Sequence, residues 1–258
     1  MARAGNVINM TVEIIKGTKR TSAAKRVICR EELPYKKLLL LPIPTTRDGV
    51  TVSGTDVTLE SLILGIDNGV AVCGYGLPGW FCERILALGG KVYDAMYDED
   101  FQAKNAELTA LGALGEIISE KERAPTDVRF GIIGYGRIGS ALLKYLSFLG
   151  ASPTVFTRRE SVCKSLGAWG IDSSQTLTLE ELMTLDVLIN TAPTSITDNS
   201  GAMALYRGGV SIFDLASGEN FGYCEHVKRL PSIPDRVFPE SAGMAYGEAI
   251  CRALGGAV

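Results

Sequence analysis

Histidine is nearly absent from this chain of 258 residues, which contains only His226. The six cysteines are scattered, and no C-x-x-C pair or Cys/His spacing typical of a metal site occurs. We therefore expect no metal ion, and reduced thiols of the kind found in cytosolic proteins.

Long apolar runs and a strong charge imbalance are also lacking. No run approaches the length of a membrane helix, and the first ten residues lack the apolar region of a secretory signal. The formal net charge of −3 gives no reason to expect a nucleic-acid partner. Because 46% of the residues are hydrophobic, the chain can bury the core of one large domain or two small ones. We expect a cytoplasmic protein without membrane contact.

Glycine marks the most informative stretch. An apolar run, Val128–Ile133, has the composition of a strand and leads into the sequence GYGRIG, a G-x-G-x-x-G motif. A helical pattern and a second strand, Pro153–Phe156, follow, which is the context that a dinucleotide-binding turn requires. In such a turn Gly134 permits the sharp bend, Gly136 lets a pyrophosphate approach the backbone, and Gly139 lets helix and strand pack closely. The alternative is a glycine-rich turn that binds nothing.

The end of the second strand favours NADP over NAD. NAD-preferring sites usually place an acidic residue there to bind the ribose 2′-hydroxyl, whereas this chain has Thr157-Arg158-Arg159. Guanidinium groups bind phosphate oxygens, so these residues suit a 2′-phosphate. Solvated surface arginines remain the alternative. The predicted cofactor-binding residues are Gly134, Tyr135, Gly136, Arg137, Ile138, Gly139, Thr157, Arg158, Arg159, Thr191, Ala192 and Pro193.

The remaining pattern alternates strands and helices, which predicts an α/β fold: a Rossmann-type doubly wound parallel sheet plus a smaller N-terminal α/β domain. We expect a substrate-side domain over residues 1–104, a connecting helix over 105–124, the nucleotide-binding domain over 125–243 and a C-terminal helix over 244–258. The basic N-terminal region predicts a short strand near Val12–Ile15, a loop, and a strand near Val27–Cys29.

Polar residues after strands supply the other candidates, because open parallel sheets bind ligands at the carboxyl ends of their strands. Thr45, Thr46 and Arg47 follow the apolar run KLLLLPIP and are candidates for substrate binding, or form an ordinary turn closed by Asp48-Gly49. Asn190 and Ser217 follow two later strands and can hydrogen-bond a substrate carboxylate. Asp214 is more suited to holding its loop than to chemistry.

These motifs together resemble the A subunit of bacterial dipicolinate synthase, a family related in fold to D-2-hydroxyacid dehydrogenases. The resemblance rests on Leu41-Pro42, Asn105 with Thr109 and Gly112, and on GYGRIG, NTAP, DLAS and P-x-x-A-G in that order. It implies NADP-linked oxidation of a dihydrodipicolinate-type ring dicarboxylate, partnership with a flavoprotein-like B subunit, and a role in sporulation. We also expect a homo-oligomer.

Three departures from the family pattern bear on the chemistry. Residues 1–37 show no counterpart of the family's first strand and G-G-D-R-type turn, so we expect a divergent, shortened N-terminus. The glycine-rich continuation after DLAS is replaced by GENFG, and the basic residue of A-P-K-T-A-G is Glu240 here. A paralogue that binds a nucleotide or a partner without catalysis is therefore the alternative function.

Hydride transfer usually requires a group that accepts a proton. His226 lies in a segment with a helical pattern, outside the strand-end loops, and a surface position is the simpler interpretation. The lack of a His–carboxylate pair disfavours a D-2-hydroxyacid dehydrogenase proper. Glu240 lies where those enzymes carry their histidine and is the candidate acceptor, with Asn190 and Ser217 as further catalytic candidates. Ser241 and Ala242 complete the predicted substrate-binding set.

Overall fold

The computed structural model describes residues 10–255. Residues 1–9 and 256–258 lie outside this part. The prediction about a secretory signal, which concerns the first ten residues, and the corresponding ends of the predicted domains therefore fall largely outside the described residues.

The strands in the described residues are β1 Thr11–Ile14, β2 Lys37–Leu40, β3 Val70–Gly74, β4 Lys91–Asp94, β5 Phe130–Ile133, β6 Thr154–Phe156, β7 Ser173–Ser174, β8 Val187–Asn190, β9 Ser211–Asp214, β10 Asn220–Tyr223 and β11 Val227–Arg229. The α-helices are α1 Lys19–Ile28, α2 Leu59–Ile63, α3 Gly79–Ala87, α4 Glu99–Lys121, α5 Arg137–Phe148, α6 Glu160–Ala168, α7 Leu179–Leu182, α8 Asn199–Arg207, α9 Ile233–Val237 and α10 Pro239–Leu254. None of these helices is both long enough and apolar enough to cross a bilayer.

The chain divides into two compact units. The first comprises the described residues up to Asn105 together with those from Phe238 onwards, and the second comprises Ala106–Val237. Helix α4 therefore begins in the first unit and continues into the second.

The first unit contains a four-stranded sheet in the order β1-β2-β3-β4, and all of its strand pairs are parallel. The central strands β2 and β3 are largely buried, as expected for a parallel sheet covered by helices on both faces, whereas the edge strands β1 and β4 are partly exposed. One face packs against α1 and α10 around Leu38, Leu40 and Tyr246, and the other against α2 and α3 around Phe81 and Ile85.

The second unit contains a six-stranded sheet in the order β11-β9-β8-β5-β6-β7, again with every pair parallel. Strand β5 lies in the interior of the sheet, with β6 on one side and β8 on the other. Chain order reverses direction there, so β5 marks the topological switch point at which such folds bind ligands. The predicted Rossmann-type α/β fold with a smaller α/β domain is confirmed.

Two N-terminal predictions are corrected. The segment predicted as a basic loop and a strand near Val27–Cys29 forms α1. Thr18 caps this helix, because its hydroxyl accepts a hydrogen bond from the backbone N–H of Thr21. The buried side of α1 includes Ala23 and Ala24, which contribute little to a hydrophobic pattern but allow another helix to approach closely.

The terminal helix also differs from prediction. Helix α10 begins at Pro239 rather than at residue 244. The whole helix belongs to the first unit, so residues 239–243 are not part of the nucleotide-binding domain, contrary to the prediction. Pro suits the first turn of a helix because its missing N–H would have no partner there. The connecting helix likewise begins earlier than predicted, at Glu99.

Helices α1 and α10 cross at small residues. A Cβ atom added to Gly243 would lie 2.3 Å from the carbonyl oxygen of Arg20, and one added to Gly247 would lie 2.8 Å from that of Ala24. Because the obstacles are backbone atoms, a side chain at either position forces the two helices apart.

Gly243→Ala should therefore lower the free energy of unfolding by about 1–3 kcal/mol, the usual cost of overpacking. Urea unfolding followed by circular dichroism measures the change. Gly115→Ala is the matched control: Gly115 also lies inside a helix, but an added Cβ meets nothing within 4 Å. That control should leave stability unchanged or raise it by about 0.5–1 kcal/mol. A Gly243→Ala protein as stable as the parent contradicts the close crossing.

Candidate functional site

The glycine-rich turn connects β5 to α5 in the second unit. Gly134 has φ +92°, a conformation that side chains rarely adopt, and a Cβ atom there would lie 2.7 Å from the Thr191 hydroxyl oxygen. At Gly139 an added Cβ would lie 2.1 Å from the carbonyl oxygen of Gly134. These two glycines are thus required by the protein's own conformation and packing.

Gly136 differs from both. Its φ of −92° and ψ of −163° are accessible to any residue, and an added Cβ would meet no protein atom within 4 Å. Gly136 is the N-cap of α5, but no side chain caps this helix end. Neither conformation nor packing therefore explains a glycine here, whereas the close approach of a phosphate to the backbone does. The turn fits a dinucleotide pyrophosphate at the positive end of α5.

A cavity of about 460 Å³ opens at the carboxyl ends of β5, β6 and β8. It brings together six of the predicted cofactor-binding residues: Gly134, Tyr135, Thr157, Arg158, Arg159 and Ala192. Gly136, Arg137, Ile138 and Gly139 continue the turn from Tyr135, while Thr191 and Pro193 flank Ala192. The Thr191 hydroxyl donates a hydrogen bond to the carbonyl oxygen of Ile133 at 2.9 Å, so it joins the ends of β8 and β5.

The two arginines after β6 have different surroundings. The Arg159 guanidinium donates a hydrogen bond to the carbonyl oxygen of Tyr135, which ties this loop to the glycine-rich turn. Arg158 is exposed and lines the same cavity, and no group in residues 10–255 forms a hydrogen bond or ion pair with its guanidinium. Arg158 is therefore a cation available to an anionic ligand.

Sequence reasoning missed one wall of the cavity, formed by Gln175, Thr176 and Leu177. This loop follows β7, which has only two residues and leaves no detectable strand pattern. The Glu181 carboxylate holds the loop by accepting hydrogen bonds from the Thr178 hydroxyl at 3.0 Å and the Ser174 hydroxyl at 3.2 Å. A further hydrogen bond, from the Thr178 backbone N–H, is the main reason that the pKa of Glu181 lies below its ordinary value.

The candidates at the ends of β8 and β9 differ in exposure. Asn190 is fully buried; its amide NH₂ donates to the Asp214 carboxylate at 2.8 Å and its amide oxygen accepts from the Ala192 N–H at 3.0 Å. Both ends of the Asn190 amide are thus used within the protein. Asp214 holds the loops, as the sequence suggested. Ser217 is exposed in the loop that follows β9.

His226 lies between β10 and β11 instead of in a helix, which corrects the prediction for this segment. Its ring stacks on Tyr206 with the ring centroids 3.7 Å apart and the planes inclined by 3°. No group of three or more His, Cys, Asp or Glu residues in the described part of the chain has an arrangement that could hold a metal ion.

The substrate candidates after β2 lie at the carboxyl edge of the first unit's sheet. Thr45 is buried, and its hydroxyl accepts a hydrogen bond from the Tyr75 N–H at 2.8 Å. The Thr46 hydroxyl donates to Asp48 at 2.9 Å. The pKa of Asp48 is held well below its ordinary range, chiefly by hydrogen bonds from the side chain and backbone of Thr51. Arg47 is exposed, and its guanidinium has no hydrogen-bond partner among residues 10–255.

Glu240, Ser241 and Ala242 lie on the first turn of α10 instead of in a loop. Glu240 is exposed and forms an ion pair with Arg26 of α1. Ser241 is exposed, whereas Ala242 is fully buried, so its side chain faces the protein interior. These three residues and the cofactor candidates belong to different units.

A second G-x-G-x-x-G sequence, GYGLPG, lies between β3 and α3. Here the N–H groups of Gly76 and Leu77 donate hydrogen bonds to the Asp94 carboxylate at 2.9 and 2.8 Å. An internal anion thus occupies the amides that a phosphate would bind, and this second turn is closed to nucleotides.

Comparison with solved structures identifies relatives in fold. The A subunit of dipicolinate synthase from Bacillus halodurans matches with a TM-score of 0.78 and 21% identity, covering 97% of this chain and 99% of that chain. The corresponding chain from Bacillus subtilis matches with a TM-score of 0.75 and 17% identity, covering 97% and 98% respectively. A transhydrogenase from Sinorhizobium meliloti matches with a TM-score of 0.58 and 15% identity, covering 84% and 73%.

This coverage corrects the expectation of a shortened N-terminus, because β1 and α1 complete the first unit and 99% of the B. halodurans chain is matched. No protein-family model matches the sequence, and no curated protein matches it significantly. The chain thus has the fold of the dipicolinate synthase A subunit. The motifs of the sequence suggested the same family.

Proposed function

We propose that this chain is an NADP-dependent oxidoreductase that oxidises a dihydrodipicolinate-like cyclic dicarboxylate. The cavity at the switch point carries the proposal, because it combines a glycine-rich turn open at Gly136 with an unpaired guanidinium at Arg158. The dipicolinate synthase motifs supply the substrate class. The same resemblance supports a cytoplasmic role in sporulation, partnership with a flavoprotein-like B subunit, and a homo-oligomer.

In this proposal one set of residues binds the cofactor and another binds the substrate. The backbone at Gly136 and the N-terminus of α5 bind the pyrophosphate, and Arg158 binds the 2′-phosphate. The cofactor, when bound, supplies the hydride acceptor. Arg47 binds a substrate carboxylate, and Ser217 hydrogen-bonds the substrate or the nicotinamide amide. Asn190 does not contact the substrate, because its amide is occupied by hydrogen bonds with Asp214 and Ala192. Its role is to position the loops that follow β8 and β9.

The proton demand of the reaction is modest. A dihydropyridine ring loses one hydride and one proton on becoming aromatic, and aromaticity drives the step without a strong base. Glu240 is the carboxylate proposed to accept the proton. Both side chains of the Glu240–Arg26 ion pair are exposed to solvent, and exposed ion pairs contribute little free energy.

One observation favours a second candidate function, a nucleotide-binding or partner-binding protein without catalysis. The groups that usually take protons are engaged elsewhere: Glu240 with Arg26, His226 against Tyr206, and Asp214 with two asparagine amides. The nucleotide site is common to both functions, so turnover separates them.

Gly136→Asp should abolish NADPH binding without harming the fold. Asp is a favoured N-cap and its Cβ has room here, so stability should stay equal or rise by about 0.3 kcal/mol. The added carboxylate repels the phosphates. Gly139→Ala is the contrasting variant and should lower stability by about 1–3 kcal/mol through its contact with Gly134. Nicotinamide fluorescence and thermal melts measure both effects; NADPH affinity retained in Gly136→Asp removes the site assignment.

Arg158→Ala should weaken NADPH binding by about tenfold or more, the loss expected for one charge-assisted phosphate contact, and NADH binding by less than about twofold. Parallel fluorescence titrations with both nucleotides provide the test. Arg207→Ala, which removes one exposed positive charge outside the cavity, should change neither affinity. Equal losses for NADPH and NADH in Arg158→Ala contradict a 2′-phosphate pocket.

Turnover decides between the two functions. With NADP and a dihydrodipicolinate-type substrate, the protein should produce NADPH together with the aromatic product, both followed by absorbance. Arg47→Ala should raise KM about tenfold while NADPH affinity stays the same, because only a substrate carboxylate loses its partner. Nucleotide binding without turnover on cyclic dicarboxylates supports the non-catalytic alternative.

A further inference from the structure

A buried carboxylate joins the ends of β8 and β9. Asp214 is 2% exposed, and no cation pairs with it in the part of the chain that the structure describes. Instead it accepts hydrogen bonds from the amide groups of Asn190 at 2.8 Å and Asn220 at 3.1 Å, and from the Ala216 N–H at 3.2 Å. Burying a charge is costly unless hydrogen bonds compensate, so each of these donors matters for the local structure.

Asn220 is the donor that closes the loop after β9 onto the Asp214 carboxylate. It is 3% exposed at the start of β10, and its amide NH₂ also donates to the carbonyl oxygen of Ser217 at 3.4 Å. Its own backbone carbonyl accepts a hydrogen bond from the Ile196 N–H at 2.7 Å. The side chain of Asn220 therefore fixes the loop after β9, while its backbone contacts the loop after β8.

The hydrogen bonds among Asn190, Asp214 and Asn220 lie on the side of the sheet where the nicotinamide half of the cofactor is expected. In the order β11-β9-β8-β5-β6-β7, strands β8 and β9 lie on one side of β5 and Arg158 follows β6 on the other. A dinucleotide that places its 2′-phosphate at Arg158 and its pyrophosphate at the glycine-rich turn extends its nicotinamide half towards β8 and β9.

We propose that Asn220 is a positioning residue for the nicotinamide half of the cofactor. It holds the loop Leu215–Glu219, which carries Ser217, against the Asp214 carboxylate. This inference rests on the proposed nucleotide function. The proposal also gives a role to Asn220 within GENFG, the segment that replaces the glycine-rich continuation of the family pattern after DLAS.

Asn220→Ala should weaken binding of the nicotinamide half of the cofactor but not binding of the adenosine half. Affinity for NADPH should fall about tenfold, since one hydrogen bond to a buried charge is lost. Affinity for 2′,5′-ADP, which has no nicotinamide, should change by less than about twofold, because the Ile196 contact uses the Asn220 backbone. Equal loss for both ligands overturns the proposal in favour of a general structural role, and so does an unchanged NADPH affinity.

Asn220→Asp provides a pH-dependent test. It would place a second carboxylate about 3 Å from Asp214, where two negative charges repel and one proton is retained to higher pH. The protonated form donates a hydrogen bond to its neighbour and restores the link. NADPH affinity relative to the parent protein should therefore recover as pH falls from about 8 to about 6, whereas the relative affinity of Asn220→Ala stays flat.

Nearby ionisable groups among the described residues are Glu219 in the loop, Asp198 at the N-cap of α8, Tyr223 on β10 and Arg229 on β11. These groups are also present in the parent protein, so their effects on NADPH affinity cancel in the ratio. A flat ratio for Asn220→Asp overturns the positioning role. If the parent protein itself binds neither NADPH nor 2′,5′-ADP, the proposed function fails; if it binds both and the Asn220 variants match it, only the positioning role fails.

Discussion

Every strand pair in both sheets is parallel, and the arrangement of the candidate residues depends on this constraint. Parallel strands bring their carboxyl ends to one edge, so loops that are distant in sequence meet there. The sheets bury both faces, which leaves these loops as the place where polar groups can meet a ligand. In the second unit the turn after β5 and the arginines after β6 line one cavity for this reason.

The two G-x-G-x-x-G turns show why a motif alone does not define a site. Both follow a strand and precede a helix, and both begin with Gly-Tyr-Gly. In GYGLPG the Asp94 carboxylate binds the free N–H groups, whereas in GYGRIG a position that needs no glycine for packing remains glycine. The distinction depends on Asp94, which arrives from the neighbouring strand and cannot be recognised from the motif.

Much of the fold followed from sequence periodicity, and the failures have physical causes. The sequence of α1 predicts a loop and a strand because the packing face of this helix is built from Ala23 and Ala24, two small residues that pack against Gly243 and Gly247. Strand β7 is too short to leave a pattern, so the cavity wall at Gln175 was missed. The glycines and Arg158 can be proposed from the sequence, because each has a local chemical reason to be where it is.

Catalytic candidates were harder to judge, since their value depends on which neighbours they bind. Asn190 is a candidate because it is a polar residue at a strand end, yet its amide forms hydrogen bonds with Asp214 and Ala192. The same hydrogen bonds that occupy the Asn190 amide allow it to hold the loops that follow β8 and β9. A reaction driven by aromatisation needs an accurately placed ring more than a strong base, because hydride transfer depends on the distance and angle between donor and acceptor. The buried Asn–Asp–Asn network holds the strand-end loops in fixed positions, which is the kind of support that the proposed reaction would require.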